Sequence, residues 1–171
     1  MSGLIPDYRY PSLADVPIEE FAEKGIRGAL LDIDNTLVDY GVYDVIPEAN
    51  LEWLNRAKAV GVKCILYSNA SQWKIDRIKK VADLPGVSKV YKPAYALLDK
   101  ALGIIGCAKN EVILIGDQVC TDILGGNLGG VITVLVEPLT EKDWPGTKLL
   151  RMIEWTAIPD RRPWYRKRER Q

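Results

Sequence analysis

Residues 28–39 read Gly-Ala-Leu-Leu-Asp-Ile-Asp-Asn-Thr-Leu-Val-Asp. Ala29 to Leu31 is a short apolar run of the kind that forms a buried strand, and it delivers Asp32 and Asp34 at its end. Side chains two apart on extended backbone point to the same side, so the spacing places both carboxylates together. Like charges held that close repel, and a bound cation or a retained proton has to offset the repulsion. Asn35 and Thr36 then turn the chain, and Leu37-Val38 return it to apolar surroundings. An Asp-x-Asp alone fits a solvated acidic loop as well as a nucleophilic or metal-binding pair. The surrounding chain decides between them.

Downstream, helical and strand patterns alternate. Apolar residues at Ala49, Leu51, Trp53, Leu54, Ala57 and Val60 predict a helix over 47–60, closed by Gly61. A strand over 62–67 ends at Ser68-Asn69, and a helix over 72–82 places Trp73, Ile75, Ile78 and Val81 on its apolar side. A strand over 87–91 ends at Lys92-Pro93, and a helix over 94–105 follows. A strand over 112–115 ends at Gly116-Asp117, a helix covers 121–128, and a last strand covers 131–136. Upstream, Pro6, Pro11 and Pro17 punctuate an irregular arm with one short helix, for which Asp15 is the expected cap. The expected fold is α/β, a three-layer Rossmann-like parallel sheet of about five strands with helices on both faces. One domain is expected over 1–171: an arm (1–25), an α/β core (26–140), a C-terminal helix (141–159) and a basic tail (160–171).

Composition narrows the chemistry. The 171 residues are 47% apolar, which suits a packed core, and carry no formal net charge. The last twelve residues hold six Lys/Arg against two acids, so a +4 tail balances a −4 body. Histidine is absent, which removes His triads, His bases and His-rich zinc sites. Cys64, Cys107 and Cys120 form no Cys-x-x-Cys, and no Arg stands six positions after any of them, as a cysteine phosphate loop would need. The start has no signal-peptide pattern, and 131–136, the longest β-branched apolar run, is too short to span a bilayer. A cytoplasmic protein in a reducing compartment is the expectation.

The notable polar groups each follow a strand. Asp32 and Asp34, Ser68, Lys92, and Asp117 with Asp122 all stand at strand ends, which share one edge of a parallel sheet. Carboxylates, a hydroxyl and an ammonium gathered there suit phosphoryl transfer. A hard oxygen site holds Mg2+, one carboxylate attacks phosphorus, and a second moves the proton. The hydroxyl and the ammonium hold the phosphoryl oxygens.

Asp32-Ile-Asp34-Asn35-Thr36, Ser68-Asn69, Lys92-Pro93 and Gly116-Asp117-Gln118-Val119-Cys120-Thr121-Asp122 resemble the four motifs of the haloacid dehalogenase (HAD) superfamily, in the expected order. The resemblance implies that Asp32 is a nucleophile forming an aspartyl-phosphate and that Asp34 is the general acid, then base. It also implies that Ser68 and Lys92 bind the phosphoryl group, with Asn69 beside them. Asn69 and Thr36 suit local turns better than substrate contact. Mg2+ would be held by Asp32, Asp117 and the backbone carbonyl of Asp34, with Asp122 reaching metal through water.

Within the superfamily, Leu4-Ile5-Pro6-Asp7, Ser12-Leu13-Ala14-Asp15, Asp-Asn-Thr-Leu-Val, Gly-Asp-Gln and Leu124-Gly125-Gly126-Asn127 resemble the YqeG-type phosphatases, relatives of the mitochondrial phosphatidylglycerophosphate phosphatase. The resemblance runs over about residues 4–140. It implies a Mg2+-dependent phosphatase with phosphatidylglycerophosphate as the leading substrate. A phosphatase for nucleotides or other soluble phosphates, and a non-catalytic HAD-fold binding or assembly factor, are the alternatives. Many HAD enzymes carry an inserted cap domain. Here Pro47 stands only eight positions after Asp39, and one helix and one strand fill 68–92, so no cap is expected. An open site admits a bulky substrate such as a lipid headgroup. Leu149, Leu150, Met152, Ile153 and Trp155, followed by the basic aromatic tail, suit an anionic membrane surface or nucleic acid, and equally a packed helix with a solvated tail.

Overall fold

Alternate residues of the central strands feed two separate cores. In the computed structural model, which describes residues 2–140, Ala29 and Leu31 of β2 (Gly28–Leu31) face one core and Leu30 faces the other. The same split divides Cys64 and Leu66 from Ile65 in β3 (Lys63–Tyr67), and Ile113 and Ile115 from Leu114 in β5 (Val112–Gly116). A strand apolar on both sides needs cover on both sides. One core is closed by α1 (Ile18–Glu23), α2 (Glu48–Ala59) and α3 (Gln72–Ala82), through Phe21, Trp53 and Ile75 among others. The other is closed by α4 (Leu98–Ile105), through Leu98, Ala101, Leu102 and Ile105. The helix α5 (Leu124–Gly129) precedes β6 (Ile132–Val136).

Among the described residues the sheet has six strands, one more than the sequence pattern suggests. Its order is β1 (Tyr8–Tyr10), β6, β5, β2, β3 and β4 (Gly86–Val87), and every pairing is parallel. The additional strand, β1 (Tyr8–Tyr10), comes from the arm and pairs with β6 at the sheet edge. Asp7 fixes its register, since its Oδ2 accepts the Thr133 N–H at 2.8 Å and its own N–H donates to Thr133 Oγ1 at 3.2 Å. Three half-buried residues carry no alternation that a local pattern could detect. Asp15 does not cap α1: it accepts from the Ser12 hydroxyl at 2.7 Å, and Pro17 holds the cap position.

Two further elements are shorter than expected. The strand β4 is only Gly86–Val87, because Lys89 and Tyr91 have φ of 49° and 55° and cannot continue an extended run. The helix α4 starts at Leu98 rather than Ala94, after turns through 93–97. Trp73 is 53% exposed, because it stands roughly 160° round α3 from buried Ile75. The expected helix over 141–159 and the tail over 160–171 lie outside the described residues.

From β2 the chain moves through β3 to β4 on one side, then returns to place β5 and β6 on the other. The switch point therefore lies between the C-terminal ends of β2 and β5, where open α/β sheets bind ligands. Asp32 and Asp117 follow those two ends directly.

Candidate active site

Asp32 continues β2 by one residue. Its N–H donates to Ile115 O at 3.0 Å, so the ladder with β5 holds the backbone where the side chain leaves the sheet. The next residues form a tight loop in which the Leu37 and Val38 N–H groups both donate to Ile33 O, at 3.0 and 3.1 Å. Asn35 takes the left-handed turn position, with φ of 64°, which Asn tolerates better than most residues. Its side-chain oxygen accepts from the Thr140 hydroxyl at 2.8 Å, tying the loop to the segment after β6. From α2, buried Asn50 donates to Leu37 O at 2.8 Å. The loop is thus held from both sides.

Asp117, fully buried, accepts from the Thr36 hydroxyl at 3.2 Å, so Thr36 joins the first loop to the site as well as turning the chain. Asp122 comes from a wide π-type turn, Val119–Ile123, rather than from the start of a regular helix. Such turns recur at functional sites because they re-aim a side chain. The Gln118 N–H donates to Asp122 Oδ2 at 3.0 Å. Gly116 makes this approach possible: a Cβ there would fall 2.3 Å from Asp122 Cγ.

Lys92 enters from the loop after β4. Asn69 grips its backbone, accepting from the Lys92 N–H at 2.7 Å and donating to Lys92 O at 3.3 Å. The buried ammonium donates to Asp32, to Asp122 and, at 3.1 Å, to Tyr67 O. Burial alone would push this amine down, but the Asp122 and Asp32 charges outweigh it and hold Lys92 above the usual lysine range. Burial pushes Asp122 up to about 6, the Lys92 charge opposing and the Asp32 charge adding to the shift. Ser68 is buried at the end of β3, its hydroxyl accepting from the Ala70 N–H at 3.3 Å. Gly125 of α5 lies against the Pro93 backbone, where a Cβ would meet it at 3.2 Å, so the helix supports the Lys92 loop.

Carboxylate oxygens of Asp32, Asp117 and Asp122 lie within 4.8 Å of one another, all buried. Three hard oxygen donors with no thiolate or imidazole among them fit Mg2+. The Asp34 carboxylate stands apart from this group. It accepts from the Tyr43 hydroxyl at 2.8 Å and lies 3.6 Å from Lys74 Nζ. Burial raises its pKa, the Tyr43 hydrogen bond lowers it, the Asp32 charge raises it and Lys74 lowers it, with a net upward shift. Two carboxylates spaced for one side of a strand are therefore divided, one into the acidic group and one against Tyr43 and Lys74, where it is partly exposed. Neither Tyr43 nor Lys74 stands out in the sequence, since neither follows a strand directly.

The HAD-hydrolase-like family model matches residues 90–142. The probable phosphatase YqeG of Bacillus subtilis (strain 168) is 29% identical over 150 residues, which cover 88% of this chain and 87% of that protein. The chloroplastic phosphatidylglycerophosphate phosphatase 1 of Chlamydomonas reinhardtii is 30% identical over 166 residues, 90% of this chain and 61% of that longer protein. Among solved structures, a HAD-superfamily hydrolase from Ehrlichia chaffeensis shares the fold, with a TM-score of 0.52 at 14% identity over 75% of this chain and 97% of that one.

Proposed function

The chain belongs to the haloacid dehalogenase (HAD) superfamily of hydrolases and to its phosphatases, and on that premise we propose that it hydrolyses phosphomonoesters through an aspartyl-phosphate on Asp32, with Mg2+ and with phosphatidylglycerophosphate as the leading substrate. The observation that carries the reading is the buried group of Asp32, Asp117 and Asp122, with Lys92 joined to two of them. When bound, Mg2+ supplies positive charge against the phosphoryl oxygens, and these three aspartates, with the Asp34 carbonyl, are the groups that would hold it.

In the first step a carboxylate oxygen of Asp32 attacks phosphorus, and the bond from phosphorus to the leaving alcohol oxygen breaks. Asp34 gives its proton to that oxygen. Its raised pKa keeps a larger share of it protonated than an ordinary aspartate would have, as an acid requires. In the second step Asp34, now a carboxylate, takes a proton from the water that attacks phosphorus. The bond from phosphorus to Asp32 breaks, releasing inorganic phosphate and restoring both side chains. Lys92 orients Asp32 and, with the Ser68 hydroxyl, offers donors to the phosphoryl oxygens.

The substrate reading draws support from the similarity to the phosphatidylglycerophosphate phosphatase 1 of Chlamydomonas reinhardtii and from the open site. Among the described residues, only a loop joins β2 to α2, and only α3 with its turns joins β3 to β4. The test is phosphate release from phosphatidylglycerophosphate in mixed micelles with Mg2+, wild type against Asp32→Asn. Turnover by the wild type alone supports the reading. Substantial turnover by Asp32→Asn sinks the nucleophile, and turnover of an aryl phosphate but not of the lipid keeps the mechanism and discards the substrate.

A further inference from the structure

At the mouth of the site one ammonium stands among three aromatic rings. Lys74 Nζ, on the first turn of α3, lies 4.6 Å from the Tyr43 ring centroid, 5.8 Å from Tyr40 and 6.0 Å from Trp73. Tyr43 and Trp73 pack edge to face at 5.5 Å. Ring quadrupoles hold a cation in place without using its N–H donors. Among the described residues the ammonium's carboxylate partner is Asp34, whose Oδ2 forms an ion pair with it at 3.6 Å. The rings and the Asp34 ion pair hold the ammonium in position, and with three N–H donors it has capacity for a further acceptor. Its side chain is 22% exposed, so an acceptor from solvent can reach it.

We propose that Lys74, framed by Tyr40, Tyr43 and Trp73, is a subsite for a second anionic group carried on the leaving alcohol of the substrate, one glycerol length from the bond that breaks. The inference rests on the reading of Asp34 as the acid. If Asp34 protonates the leaving oxygen through Oδ2, the oxygen not held by Tyr43, that leaving oxygen lies no more than about 6.8 Å from the Lys74 ammonium. A three-carbon alcohol spans that gap and brings a phosphodiester or carboxylate oxygen to the N–H donors. The exposed part of Trp73 offers an apolar wall to the intervening carbons. The subsite would thus select among phosphomonoesters by what lies beyond the ester oxygen, while Lys92 and Ser68 bind the group being transferred.

The experiment compares kcat/KM for glycerophosphoglycerol phosphate, which carries the second anion, with kcat/KM for glycerol phosphate, which lacks it. The full chain is used with Mg2+, as wild type, Lys74→Met and Lys74→Arg. The expected result is a wild-type preference for the first compound that falls about tenfold or more in Lys74→Met, as loss of a charged hydrogen bond implies, and is kept in Lys74→Arg. An equal fall on both compounds in Lys74→Met overturns the subsite and leaves Lys74 as a positioning residue for Asp34. A wild type that hydrolyses both without preference overturns the subsite while the phosphatase reading stands. Hydrolysis of neither, nor of an aryl phosphate, overturns both. A micellar arm with phosphatidylglycerophosphate separates the sources: a Lys74-dependent preference on soluble and lipid forms alike places recognition in the headgroup, and one confined to the lipid overturns the anion subsite.

Discussion

The Tyr43 hydroxyl donates a 2.8 Å hydrogen bond to Asp34 Oδ1, joining the loop after β2 to the carboxyl proposed to move the proton. This contact lowers the Asp34 pKa against the larger upward push of burial. Tyr43→Phe removes the lowering and so raises Asp34 further. A larger share of Asp34 then stays protonated at any given pH, and the alkaline limb of the kcat/KM profile shifts to higher pH. The ring itself is kept, so the fold holds. A pH–rate series for wild type and Tyr43→Phe checks this, and a limb that stays put or moves to lower pH contradicts the acid assignment.

Among the described residues Lys92 is the one ammonium bound to both Asp32 and Asp122, and its side chain is only 3% exposed. Lys92→Met leaves those carboxylates buried without it, and breaking a buried pair from one side costs about 3–5 kcal/mol. Thermal unfolding of the metal-free variant should show that loss, and phosphate release should fall to background. A variant as stable as wild type would mean that the aspartates are hydrated or protonated in the resting protein.

Gly116→Ala should act through Asp122 alone. The added Cβ would overlap Asp122 Cγ at 2.3 Å, and the side chain must leave its place beside Lys92. A loss of about 1–3 kcal/mol from overpacking is expected, with kcat reduced about a hundredfold. Asp122→Gly in the same chain frees the space. The double variant should regain stability and stay inactive, and a double-mutant cycle of unfolding free energies measures the coupling.

Metal and pH act on the same group. Asp122, at about 6 in the folded protein against an ordinary 3.8, gives up its proton later than it would in the unfolded chain. As pH rises through that window the unfolded state loses its proton first, so this group subtracts stability from the metal-free protein. Differential scanning fluorimetry in EDTA should show a higher Tm at pH 5 than a control Asp122→Asn variant predicts, with the advantage gone by pH 7. Mg2+ at 100 times its dissociation constant should stabilise the fold by about 2.7 kcal/mol, raising Tm by about 5–10 °C. Asp117→Asn should cut that rise sharply. An undiminished rise would take Asp117 out of the metal site.

Much of the candidate site was legible because several of its groups stand directly after an apolar run. Asp32, Ser68 and Asp117 directly follow β2, β3 and β5, strands that local pattern identifies, whereas Lys92 stands five positions beyond the short β4. The edge strand β1 was not legible, since Tyr8-Arg9-Tyr10 becomes a strand only by pairing with Tyr8↔Val134 register at β6, over a hundred positions away. Nor was the shortness of β4, which depends on left-handed turns at Lys89 and Tyr91.

The α/β alternation, the order of the motifs and the residue types gathered at one sheet edge were all readable along the chain. Those follow from hydrophobic periodicity, which is written within a window of a few residues. Packing alone parts Asp34 from Asp32 to meet Tyr43 and Lys74, brings Asp122 in from a π-type turn onto Lys92, and makes Gly116 the space it occupies. Each of these is a contact set by how separate elements pack, and burial, not spacing, fixes which charges end as neighbours.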